Sequence, residues 1–101
     1  MSAYVISEVE VLDEWQAQRY RELAAASIAH HGGRYLVRGA LPEVAEGQWL
    51  RSRRVIVVEF RDIEALQRWY QSPEYAEALA IRGDALDRRL LFVEGVPQSS
   101  T

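Results

Sequence analysis

Trp69-Tyr70-Gln71-Ser72-Pro73-Glu74-Tyr75 holds the end of one helix and the start of another, and the fold can be read outward from it. Asp62 caps a segment that carries Leu66, Trp69 and Tyr70 on one face. Ten residues further on, Ser72 and Pro73 form a second start. The serine hydroxyl accepts an orphan amide there, and proline at the first helical position has no amide to satisfy. A helix from Asp62 to about Asp87 is therefore predicted to be broken at Ser72-Pro73.

The flanks supply four strands and one more helix. Tyr4 to Val11 alternates, with Val5, Ser7, Val9 and Val11 on one face and Tyr4, Ile6, Glu8 and Glu10 on the other. Asp13 with Gln16 fits a capping box, and Trp15, Tyr20, Leu23, Ala24, Ser27 and Ile28 follow at helical spacing until Gly32-Gly33. Arg34 to Arg38 reads as a second strand, and Gly39, Pro42 and Gly47 punctuate a long connection containing Trp49. Arg54 to Phe60 is a third strand, apolar on both faces through Val55-Ile56-Val57-Val58. Arg88 to Glu94 supplies a fourth, with Leu90, Leu91, Phe92 and Val93. Residues 1–96 form one domain, and 97–101, Pro97 to Thr101, read as a flexible polar tail.

The order β-α-β-β-α-β is the ferredoxin-like, α+β pattern: a four-stranded antiparallel sheet, first and third strands central, both helices on one face. That leaves the second sheet face uncovered. If Ile56, Val58 and Phe60 face the helices, Val55 and Val57 face away, and a broad apolar patch of this kind marks an interface. The expectation is a homodimer packed through the open sheet face.

Composition narrows the function classes. The chain has 101 residues, 49% of them apolar, a formal net charge of −3 and no cysteine. The balance gives no basic face for a phosphate backbone, so no nucleic-acid partner is expected. Disulfides, zinc-thiolate sites and thiol nucleophiles are excluded by composition. With no apolar run long enough for a membrane and no basic leader, a cytoplasmic location is expected. All twelve cations are arginine, which serves equally as a solvated charge or, where several converge, as a fork for anions.

Ala3-Tyr4-Val5-Ile6, His31-Gly32-Gly33-Arg34-Tyr35-Leu36-Val37-Arg38-Gly39, Glu46-Gly47-Gln48-Trp49, Ser72-Pro73-Glu74-Tyr75 and Val93-Glu94-Gly95 together resemble the DUF1330 family of uncharacterised proteins. The resemblance covers nearly the whole chain and implies the dimeric α/β-barrel fold. That superfamily includes cofactor-independent monooxygenases, lactone isomerases, haem-degrading enzymes and ligand-sensing domains, and a shared fold does not choose among them.

Topology places the candidate residues. The ends of the first two strands, the start of the third and the end of the second helix share one pole, where Glu8, Arg38, Arg54, Arg82 and Tyr75 can converge. Arginines there can clamp a carboxylate or enolate, Tyr75 can donate to developing charge, and Glu8 can act as a base. Against that, Glu8 can equally form a cross-strand ion pair and Tyr75 can simply pack the short helix on the sheet. His31 is a further acid-base candidate at the opposite pole, near Arg34, Glu59 and Glu94, or a cation at a helix C-terminus. His30 and His31, as helix neighbours, point about 100° apart, so no metal is expected, and with no Gly-rich phosphate loop no other cofactor is expected either. The tryptophans read as core or dimer contacts, with Trp49 able to cover a pocket or reach across a dimer. Two readings follow: a small-molecule-binding homodimer acting on an apolar or anionic metabolite between sheet and helices, enzymatic without a cofactor, or a non-catalytic accessory module working through a protein partner.

Overall fold

The computed structural model describes residues 1–97, so the expected tail from Gln98 onward lies outside the described residues. The chain forms β1 (Ala3–Val11), α1 (Glu14–His30), β2 (Arg34–Ala40), β3 (Arg54–Phe60), α2 (Ile63–Tyr70), α3 (Pro73–Ala85) and β4 (Leu86–Glu94). The sheet order is β2-β3-β1-β4 with every neighbour antiparallel. This is the ferredoxin-like arrangement, with the second helix divided in two.

The division has the expected chemistry. Asp62 Oδ1 accepts from the Ala65 amide at 2.8 Å and starts α2. Ser72 Oγ accepts from the Tyr75 amide at 3.1 Å and donates to the Trp69 carbonyl at 2.7 Å, so one buried hydroxyl closes the first helix and opens the second. At α1, Asp13 accepts from the Gln16 amide at 3.0 Å, but the Gln16 side chain accepts from Arg19. The capping box is therefore only half formed.

Three expectations change. Trp15 is 72% exposed, because the buried stripe of α1 is Ala17, Tyr20, Ala24, Ser27 and Ile28. Five residues separate Trp15 from Tyr20, a rotation that carries the indole off that stripe. The strand β4 begins at Leu86, and no turn separates it from α3. The Leu86 amide still bonds the Arg82 carbonyl while its own backbone is extended and paired with Val11. Third, β2 continues past Arg38 to Ala40 through two register irregularities, the first between Tyr35 and Val37. The extra residue, Leu36, brings Tyr35 opposite Val58 and Arg38 opposite Ile56, so both point towards the helices.

The core lies between sheet and helices. Val5, Val9, Val58 and Phe60 meet Leu66, Trp69, Tyr75 and Ala78, all nearly inaccessible. Gly33 permits the entry to β2, since a Cβ there would lie 2.7 Å from the Phe60 ring and 2.9 Å from Ile28. Gly32 before it takes φ +77, the left-handed conformation that ends α1. The opposite sheet face carries Ile6, Val57, Leu91 and Val93, with Leu91 58% exposed. Trp49 folds back onto that face and, with Ile6, Val55 and Leu91, lines a hollow of about 340 Å³. No helix among the described residues is long and apolar enough to cross a membrane.

Candidate functional site between sheet and helices

A hydrogen-bonded polar cluster sits inside the sheet–helix layer. Tyr20 on α1 and Tyr75 on α3 bring their hydroxyls to 2.6 Å, and Arg88 on β4 donates from Nη1 to the Tyr20 oxygen, also at 2.6 Å. Tyr75 is wholly buried, and its ring packs on Trp69 at a centroid distance of 4.3 Å. Burial pushes the Tyr75 pKa up, and the adjacent Tyr20 adds to this while Arg88 opposes it. Tyr75 is therefore a neutral hydroxyl at any physiological pH. Two hydroxyl protons are present, and only one is used between the two oxygens. The other has no acceptor among the described residues.

Tyr35 on β2 is half-buried, opposite Val58 on the helix face of the sheet. Burial raises its pKa, with Arg38 opposing and Tyr75 adding to the rise. The Arg38 guanidinium stacks on the Tyr35 ring, 4.3 Å from its centroid. Beyond Arg38 opens a cavity of about 600 Å³. Its charged walls are Arg21, Arg38, Arg51 and Arg54 against Glu10 and Glu14, four cations to two anions and so a local balance of +2. Glu14 is held by Arg21 at 3.0 Å, and Glu10 accepts from Ser52 at 2.6 Å. Arg54 donates to the Gly39 carbonyl at 2.9 Å, which leaves most of its donors to the cavity. Deeper in the layer, the Ser7 hydroxyl is buried without a hydrogen-bond partner among the described residues.

The residues singled out from sequence divide among three places. Arg38 and Arg54 share the cavity. Tyr75 is wholly buried in the cluster and does not line the cavity. Arg82 is not among the cavity-lining residues, and its Nε is buried with no partner. Topology assigns a residue to one end of a helix but not to a direction around it. Glu8 lies on the open sheet face, 3.1 Å from its cross-strand neighbour Arg89, and both line the hollow under Trp49, not the cavity at Arg38.

His31 is likewise not beside Glu94. It lies 2.7 Å from Glu74, while Arg34 pairs with Glu59 at 2.7 Å. The expectation that His30 and His31 diverge also changes, since His31 caps the end of α1 and the two rings stand 5.0 Å apart, both near Glu74. Sequence reading missed Tyr20, Tyr35, Ser7 and Arg88 as site residues. The usable signal was Arg88, an arginine at the inward position of the alternation Leu86, Arg88, Leu90, where a charge demands a partner.

Solved structures share this architecture. A protein of unknown function from Rhodopseudomonas palustris superposes with a TM-score of 0.76 at 17% identity, over 94% of this chain and 82% of that one. SnoaB from Streptomyces nogalater, a cofactor-independent oxygenase, gives 0.66 at 14% identity over 96% and 98%. A Mycobacterium tuberculosis protein gives 0.59 at 21% identity over 99% and 100%. At such identities the likeness is one of fold. No curated protein matches the chain. The family model for DUF1330, a domain of unknown function, matches residues 2–96, and the chain belongs to that family.

Proposed function

We propose that the protein is a homodimer, joined through its open sheet faces, that holds a small apolar metabolite bearing an oxyanion in the cavity between sheet and helices. The observation that carries this is the cavity walled by Arg38 and Arg54, with Tyr35 stacked under Arg38, in a sheet–helix layer that also buries the hydrogen-bonded cluster Tyr20, Tyr75 and Arg88. A buried layer of a domain this small would be more simply filled by aliphatic side chains. Instead it keeps the Arg88 guanidinium and a hydroxyl proton without an acceptor, and an unmet buried donor costs free energy until a ligand oxygen or a water meets it. The excess of arginine at the mouth selects for negative charge. Dimerisation is supported by the exposed apolar residues Ile6, Leu91 and Val93 on the sheet face that no helix covers.

Whether the bound molecule is also transformed turns on a base. Cofactor-independent oxygenation, the activity that SnoaB carries on this fold, would draw on a general base at the cavity, and the cavity's own acid-base candidates are its two carboxylates. Both carboxylates at this cavity are engaged, Glu14 by Arg21 and Glu10 by Ser52. The ion pair occupies Glu14, whereas Ser52 occupies one oxygen of Glu10 and leaves the other free, so the second reading, a ligand-binding accessory module whose chemistry lies in a protein partner, stands beside the enzymatic one. Crystals soaked with 1-hydroxy-2-naphthoate, an apolar oxyanion, test the location. Density beside Arg38 and Tyr35 is expected. Density confined to the hollow under Trp49, or none, overturns the proposal.

A further inference from the structure

The end of α1 and the start of α3 bring together the only two histidines of the chain and a glutamate. His31 Nε2 lies 2.7 Å from Glu74 Oε1 and His30 Nε2 lies 3.9 Å from the same oxygen. One donor atom from each of the three side chains falls within 4.8 Å of the others. Two imidazoles and a carboxylate are the donor set of a borderline divalent metal such as Zn²⁺. Such an ion takes these atoms at about 2.0–2.2 Å, and tetrahedral angles then set them roughly 3.4 Å apart. The observed separations bracket that value, and the His30 side chain is 65% exposed and free to adjust.

The local field is mixed. The negative end of α1 faces the cluster and favours a cation, while Glu74 sits in the first turn of α3, whose end is positive. Arg61 and Arg68 border the hollow beside both histidines, and Glu77 borders the one beside His30 and Glu74. Arg61 is partly neutralised by Asp62 at 3.6 Å. The ligand atoms already converge, so binding needs side-chain adjustment and no movement of either helix.

The geometry points to a divalent transition-metal site formed by His30, His31 and Glu74, with solvent completing the coordination, that staples the C-terminal end of α1 to the N-terminal end of α3. It is independent of the cavity at Arg38. The test is a titration of the untagged, EDTA-treated protein with Zn²⁺, followed by calorimetry and by the ring ¹⁵N signals of the two histidines, with Mg²⁺ as a hard-cation control. The expected result is one Zn²⁺ per chain, displacement of both ring signals and a rise in melting temperature. His30→Ala and Glu74→Gln should each weaken binding by about tenfold or more. His30 is exposed, so its variant leaves the fold intact. Absence of saturable binding, an unchanged affinity in either variant, or an equal response to Mg²⁺ would overturn the site.

Discussion

Tyr20 and Tyr75 come from helices on opposite sides of the β2–β3 connection, and their hydroxyl oxygens meet 2.6 Å apart in the interior. The pair is not symmetric. Arg88 donates to Tyr20, so Tyr20 stands between a half-buried cation and a neutral hydroxyl, whereas Tyr75 bonds Tyr20 and feels the Arg88 charge as an influence that lowers its pKa. The two rings meet edge to face at a centroid distance of 6.4 Å.

That asymmetry sets an order of stabilities. Tyr75→Phe removes one neutral hydrogen bond and should cost about 1 kcal/mol, whereas Tyr20→Phe removes that bond together with the 2.6 Å bond from Arg88 Nη1 and should cost about 1.5–3 kcal/mol. Urea unfolding of the two variants measures the order. A larger loss for Tyr75→Phe would contradict the bond assignment.

Val57→Glu tests the sheet interface. The side chain faces away from the helices opposite Ile6, and a charge placed there in a dry interface costs several kcal/mol. Sedimentation should give twice the chain mass of 11.6 kDa for the wild type and a single chain, or unfolding, for the variant. A wild type that sediments as a folded single chain at micromolar concentration would refute the dimer.

Ser72→Ala should cost roughly 1 kcal/mol, the value of a helix cap, because it removes the acceptor for the Tyr75 amide. Binding of an anionic ligand should be unaffected. A large binding defect at unchanged stability would make Ser72 a site residue instead of a structural cap.

Glu74 predicts a feature of acid unfolding. The hydrogen bond from His31, with the charge of both histidines assisting against burial, holds its pKa below the ordinary glutamate value. A folded-state pKa below the unfolded one stabilises the protein above the unfolded value. The contribution disappears as pH falls through the folded one. Urea midpoints measured from neutral to acid pH should therefore fall more steeply for the wild type than for Glu74→Gln. Parallel profiles would show that the pair does not couple to folding.

Strand pattern and capping residues made the architecture legible. Ser72 and Pro73, Asp62 and the doubly apolar Val55 to Val58 encode their roles locally, within one turn or one strand. The site was legible only where it depends on position along the strands, as with Arg38 and Arg54. Arg38 faces the helices because Leu36 is an extra residue in β2, and a bulge is a property of pairing that no single strand reveals. Tyr20 and Arg88 are 68 residues apart in sequence and meet only through tertiary packing. Trp15 departs from the helical spacing for a plainer reason: it is an apolar side chain near a helix start whose angular position lies off the buried stripe.

The most direct measurement of the central claim is a fluorescence titration of 1-hydroxy-2-naphthoate against the wild type, Arg38→Ala, Arg82→Ala and His31→Ala. Loss of one charge-assisted hydrogen bond is worth about 1.5–3 kcal/mol, and each 1.4 kcal/mol is tenfold in affinity. Arg38→Ala should therefore bind about tenfold or more weakly, with Arg82→Ala and His31→Ala close to wild type. Unchanged affinity in Arg38→Ala, or loss of binding in His31→Ala, would contradict an anion site between sheet and helices.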